Sequence, residues 1–308
     1  MRIPEAGTVV AQAEHAERLG WDGITFTDSQ NLVADPFVAV ALAAAATEHL
    51  RFATGVANAH TRHPAALATV AATVQETSGG RFVLGIGRGD TALFHLGLKP
   101  MPVARFAELV TELQTYLAGG TVDCDGRPSR LRWLDRARQP KVPLDVAASG
   151  PRVIDFAART AERVTLAVGA DPDRVAWALD LARKAAADAG RDPSEISFGA
   201  YVCVACHPDL DVGRELVIGH NQPIRPFPAR GPDFTELRPA GPTFVGVEAP
   251  AHPFRMALQS VLDQFLAKGL RVLGIPPAQH RQAPTPPRDQ MPDGCLHPRL
   301  ERKGDGRR

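Results

Sequence analysis

Four cysteines in 308 residues, Cys124, Cys203, Cys206 and Cys295, are too few and too scattered for a disulfide framework. No apolar run reaches the length of a membrane span; the longest, Phe37 to Ala46, covers about half of one. The N-terminus, MRIPEAGTVVAQAEHAERLG, opens on a helix pattern without a signal-peptide core, so the expected compartment is the cytoplasm. Neither sign of charge predominates. A formal net charge of +1 gives no global attraction to nucleic acid or to an anionic membrane, and neither is expected as a partner. A metal-dependent hydrolase would need clustered ligands at strand ends; only Asp28 and His207 qualify, and no metal is expected. What remains is a chain with 44% hydrophobic and 22% charged residues, ordinary for a soluble globular protein.

Helical and strand patterns alternate along it. Helices are predicted over 8–19, 36 to about 49, 64–76, 106–118, 151–162 and 172–190, with strands over 23–28, 51–57, 81–86, 142–148 and 163–168. Asp35-Pro36 and Asp171-Pro172 each read as an N-cap followed by proline at the first helical position. A strand over 196–206, helices over 210–219 and 254–268, and a last strand over 270–275 complete the pattern. The stretches 119–141 and 222–252 read as irregular. One domain over 1–275 is expected, with 276–308 a disordered tail rich in Pro, Arg and Asp.

Alternation with apolar strands implies a parallel sheet covered by helices. Seven strands at this repeat length point to a (β/α)8 barrel of the TIM type, with a doubly wound open sheet as the alternative. No G-x-G-x-x-G turn follows the first strand, and Gly85-Ile-Gly-Arg-Gly-Asp90 has a different spacing, both against a Rossmann domain. Cys203-Val-Ala-Cys206-His207 matches the haem-attachment pattern C-x-x-C-H. In an extended strand, however, residues 203 and 206 face opposite sides, so they read as strand residues.

Four stretches in order carry a family resemblance: Leu19-Gly-Trp-Asp-Gly-Ile-Thr-Phe-Thr-Asp28; Thr54-Gly-Val-Ala-Asn58 with Thr61-Arg-His-Pro64; Ser78-Gly-Gly-Arg-Phe-Val-Leu-Gly-Ile-Gly-Arg-Gly-Asp90; and Val146-Ala-Ala-Ser-Gly-Pro151. Together they resemble the bacterial-luciferase-like flavin-dependent monooxygenases, especially the deazaflavin branch that includes methylenetetrahydromethanopterin reductases. The resemblance spans residues 8 to about 221. It implies a barrel oxidoreductase exchanging a hydride between its cofactor and a small organic substrate. Coenzyme F420, a deazaflavin, is the favoured cofactor. FMN is the alternative, with oxygen as co-substrate and a separate reductase supplying reduced cofactor. A homodimer is left open, and a non-catalytic flavin-binding or degenerate barrel is the rival reading.

Active sites of such barrels lie on the loops after the strands. By resemblance Asp28 faces the reacting ring in a polar or acid/base role; as a residue it reads equally as a turn aspartate. Ser29 follows where many deazaflavin-dependent dehydrogenases have histidine, which counts against a sugar-phosphate dehydrogenase. The resemblance places a non-proline cis peptide in a β-bulge at Gly55-Val56 beneath the isoalloxazine, with Asn58 at the ring edge. His63 is a candidate acid near neutral pH or simply a loop residue before Pro64, and His60 a weaker one. Gly87 and Gly89 are expected to line the cofactor cleft, or to serve a packed strand and turn. Ala148-Ser149-Gly150 opens a helix whose unpaired N–H groups suit the cofactor phosphate. Val168-Gly169 precedes a second helix start, with Asp171 expected as its cap.

Two departures from the family pattern stand out. Met1-Arg-Ile-Pro4 is too short for the family's opening strand, so the first strand is expected to be missing or shortened. Either translation begins upstream, or the barrel is open at a seam whose free edges favour association. Past residue 221 the similarity fades and a degenerate C-terminal part is expected.

Overall fold

The computed structural model describes residues 7–89, 91–169 and 171–202. Helix α1 (Val9–Arg18) buries Val9, Ala13 and Ala16 at helical spacing and passes through Gly20, φ +75°, into β1 (Gly23–Phe26). Then come α2 (Pro36–Ala45), β2 (Arg51–Thr54), the two-residue β3 (Ala57–Asn58), α3 (Pro64–Thr77) and β4 (Phe82–Gly87). A short α4 (Thr91–His95) precedes α5 (Val103–Leu117), the hairpin β5 (Val122–Cys124) and β6 (Arg127–Ser129), and a 3-10 turn at Arg132–Arg136. The described part ends with β7 (Leu144–Ala148), α6 (Pro151–Thr160), β8 (Arg163–Leu166), α7 (Pro172–Asp188) and β9 (Ser197–Ala200).

The strands pair in the order β1-β2-β4-β7-β8-β9, all parallel, with β3 also on β4. Each new strand joins the same edge. Right-handed crossovers then put every connecting helix on one face, so the sheet is singly wound, the arc of a (β/α) barrel. A doubly wound sheet would reverse its order. Phe52, Phe82, Leu84, Ile86, Leu144, Val146, Val164 and Leu166 are buried on one face, each such side chain stabilising by about 1.5–3 kcal/mol. Alternation puts Ala53, Val83, Gly85, Asp145, Ala147, Arg163 and Thr165 on the other, the barrel interior.

The helix expected to reach His49 ends at Ala45. Arg81 explains the stop: its Nη2 donates to Ala44 O (2.8 Å) and its Nη1 to Leu50 O (2.9 Å), capping the helix and fixing the loop. Glu17 secures the same loop by accepting from the N–H groups of Glu48, His49 and Leu50. The stretch read as irregular holds the β5–β6 hairpin, turned by Asp125 (φ +52°) and Gly126 (φ +78°). That pair is a primed turn, and the Asp-Gly dipeptide was its sequence signal. Tyr116 Oη ties the hairpin to α5 by donating to Ser129 Oγ (2.8 Å).

No helix among the described residues is long and apolar enough to cross a membrane. The expectations for the opening residues, for Cys203-Cys206-His207, for the later elements and for the boundary at 275 lie outside the described residues.

Candidate functional site at the strand ends

At the C-terminal end of β2 the register changes. Ala53 pairs with Val83 and Ala57 with Ile86, four steps on one strand against three on its neighbour. One residue is therefore extra, which is a β-bulge. Within it the Gly55–Val56 peptide is cis, as expected from the resemblance. The glycines of β4 make room for this bulge. A Cβ on Gly85 would overlap the Thr54 carbonyl oxygen, and one on Gly87 would come within 2.7 Å of Val56 Cγ2. Gly89, at φ +82°, lies against Leu93 and Asn58 Oδ1 instead. Of the two glycines expected to line the cleft, Gly87 thus faces Val56 of the bulge and Gly89 faces Leu93 and Asn58.

Asp28, just past β1, is 3% exposed and gathers donors from three segments. Its Oδ1 accepts from Gln30 Nε2 (2.8 Å); its Oδ2 accepts from Asn58 N (3.0 Å) and from Arg62 Nη1. Arg62 Nη2 also donates to Asp35 Oδ2 (2.8 Å), and its guanidinium sits 5.1 Å from the Phe37 ring centroid. Burial works against the Arg62 charge, but the two aspartates outweigh it and raise its pKa above the ordinary value. So placed, Asp28 ties the Asn58 backbone to Gln30 and Arg62. His63 is exposed, shares no hydrogen bond with Asp28, and caps α3 by accepting from Ala65 N at Nδ1 (3.2 Å). His60 is exposed as well.

Around Asp28, several buried polar atoms have no partner among the described residues: Thr27 Oγ1, Ser29 Oγ and Asn58 Nδ2. Burying such groups unpaired costs about 1–3 kcal/mol each. Their presence together at strand ends fits a polar-edged ligand that supplies the missing hydrogen bonds, as a flavin or deazaflavin ring would.

Four helices start with proline at their first position. In α2, α3 and α7 a side chain, from Asp35, His63 and Asp171, accepts from the first-turn N–H groups. In α6 the cap is Gly150, with no side-chain bond, and a Cβ there would meet open space. This helix start is left to attract an anion. Arg88, at the end of β4, and the exposed Arg152 lie near enough for their charges to interact. Burial, then the Arg152 charge, lower the Arg88 pKa. Arg88 Nε donates to Met101 O (2.7 Å), and neither arginine has an ion-pair partner among the described residues. Two cations without an ion-pair partner among the described residues near an uncapped helix start are the arrangement an anion would need. Sequence reasoning named Ser149 and Gly150 as candidates and neither arginine, because only the β4–β7 pairing brings residue 88 near residue 152. Ala148 closes β7, buried; Val168 is buried and Gly169 takes φ +85° ahead of the occupied α7 start.

The model of the luciferase-like monooxygenase family matches residues 3–282. The chain belongs to this family. Among curated relatives it is similar to 5,10-methylenetetrahydromethanopterin reductase of Methanolobus tindarius, 30% identical over 64% of this chain and 61% of that one. It is also similar to the F420-dependent glucose-6-phosphate dehydrogenase of Microbacterium testaceum, 33% identical over 50% of this chain and 48% of that one. The chain thus spans about three fifths or less of the length of these relatives. Of solved structures, the coenzyme F420-dependent tetrahydromethanopterin reductase from Methanopyrus kandleri shares the fold, with TM-score 0.59, 24% identity, and 69% and 67% of the two chains covered. A monooxygenase from Streptomyces bottropensis gives TM-score 0.57 at 25% identity, with 69% of each chain covered. This luciferase-like chain therefore carries its bulge, its orphaned polar atoms and its uncapped α6 start at one end of the barrel strands.

Proposed function

We propose that the chain is an oxidoreductase that works in the cytoplasm on a small organic substrate with coenzyme F420, FMN being the alternative cofactor. One observation carries the reading: the unpartnered polar atoms around Asp28 and the open α6 start lie at the same strand ends. From β3 across β4 to β7 is two inter-strand spacings, about 10 Å. That separation suits a ring at one place and a phosphate at the other. When bound, the cofactor supplies a hydride acceptor or donor.

Asn58 Nδ2 would hydrogen-bond a ring carbonyl, held in place through Asp28 and Arg62. Gly55 and Val56 would form the floor beneath the ring. Ser149, Gly150, Arg88 and Arg152 would hold the phosphate, with Gly169 at its margin. His63, whose Nε2 is not used by the cap, would serve as a proton carrier at the mouth. The names of relatives that specify F420 favour that cofactor. The likeness to a monooxygenase keeps reduced FMN and oxygen, with a separate reductase, as the second reading.

The chain would pair with a second copy through α2 and α3. Neither helix carries a charged residue over 36–45 or 64–75, and Val38 and Leu42 are exposed. Fluorescence titration of the full chain with F420 and with FMN tests the central claim. Saturable binding, tighter for F420, is expected; binding of neither ends the proposal.

A further inference from the structure

Exposed large apolar side chains gather on two βα loops beside the site. Leu32, in the loop after β1, is 55% exposed, and Phe94, in α4 after β4, is 77% exposed. Leu96 and Leu98 follow at 36% and 41%. The two loops are joined: Asn31 Nδ2 donates to His95 O (2.9 Å), which places the neighbours of both residues on one rim. That rim is fixed to the site at two points. Gln30 Nε2 bridges Asp28 Oδ1 and Thr61 Oγ1, and the fully buried Leu93 packs against Gly89 next to Asn58 Oδ1. Phe94 is thus held out to solvent by a helix whose next-door residue is anchored.

Charge is absent from the two stretches that carry these side chains. Residues 29–34 and 91–98 include no Lys, Arg, Asp or Glu. A charged substrate group finds no partner here, whereas an uncharged apolar one gains by leaving water. The rim also continues directly into the strand ends that carry the cofactor residues, so whatever lies on it reaches toward Asn58.

We infer that Leu32, Phe94, Leu96 and Leu98 form an apolar collar that binds an uncharged alkyl or aryl chain of the substrate, selecting substrates with such a tail. This rests on the site proposed above and names the class of molecule it takes. Contact with the collar removes the chain's apolar surface from water, at about 0.8 kcal/mol per methylene, which corresponds to about fourfold in affinity.

The test uses the full chain and the neutral fluorescent probe N-phenylnaphthylamine, displaced by straight-chain alcohols from butanol to octanol. The displacement midpoint is expected to fall about fourfold for each added carbon. Phe94→Ser and Leu96→Ser should each weaken probe binding roughly tenfold or more, by removing buried apolar contact. Phe94→Leu should keep most of it. Leu19→Ser, at a position 61% exposed at the end of α1, should change nothing. A midpoint independent of alcohol length, or probe binding unaltered in Phe94→Ser, overturns the collar. So does a probe signal that follows self-association in sedimentation rather than alcohol length. Titration with F420 and FMN on the same samples separates the two claims: failure there removes the cofactor reading, while the alcohol series judges the collar alone.

Discussion

Two successive loops of this barrel begin their helices in opposite ways. After β8, Asp171 accepts from the N–H groups of Asp173 and Arg174, so its own carboxylate takes up the helix start. After β7, Gly150 offers no side chain, and Arg88 and Arg152 stand nearby with no ion-pair partner among the described residues. A cap and an anion compete for the same few N–H groups. A helix start can be finished by the chain or left for a ligand, and here the two choices sit side by side.

The comparison breaks most sharply at residue 150. Gly150→Asp would copy the α7 start onto α6, and phosphate-bearing cofactor should bind roughly a hundredfold more weakly, through repulsion and loss of free donors. Fluorescence titration measures this, and riboflavin, lacking the phosphate, should bind unchanged. Arg88→Met is next, with an expected loss of about tenfold and a shallower salt dependence, since one charged contact is removed. Unchanged affinity and salt slope would assign the phosphate elsewhere. Asp171→Ala should cost about 1 kcal/mol of stability by urea unfolding while cofactor affinity stays put. Weakened cofactor binding in that variant would mean the two starts are not distinct.

The smallest effect concerns the strand leading to Gly150. Asp145 on β7 is buried beside Thr165, whose Oγ1 donates to Asp145 Oδ2 (2.7 Å), while Asp145 Oδ1 has no partner among the described residues. Burial raises its pKa despite the Thr165 bond and the Arg163 charge. Tyr201 nearby is pushed up as well, by burial and then by Asp145. A carboxyl whose folded pKa exceeds its unfolded one leaves the native state holding more protons. Its penalty is therefore absent at low pH and grows as pH rises through and above the ordinary carboxylate range. Asp145→Asn should thus gain stability over the unaltered chain near neutral pH and lose that advantage in acid, as urea titrations at both conditions would read. A constant difference would place the effect in packing.

Much of this was legible in the sequence where local chemistry acts alone. Proline after a capping residue announced α2 and α7, and alternation of apolar strands with helices announced the barrel arc. The Gly55-Val56 bulge came from family resemblance, since nothing in five residues of strand specifies a register shift. The ties of Arg62 and Arg88 were not legible, because Asp28 and Asp35 lie in a loop 34 and 27 residues before Arg62, and Arg88 comes near Arg152 only through the pairing of β4 with β7. The α4 helix was hidden by its brevity, five residues held chiefly by Leu93. Asp125-Gly126 shows the opposite case, a readable turn signal lost inside a stretch taken as shapeless.

The bareness of Gly85 has a reach beyond its own strand. With the Thr54 carbonyl pressed where a methyl group would be, β4 acts as a mould, and the contour of the floor under Asn58 is cast by atoms that are missing one strand away. A change at Gly85 would therefore reshape the bulge on the neighbouring strand without altering any residue of that bulge.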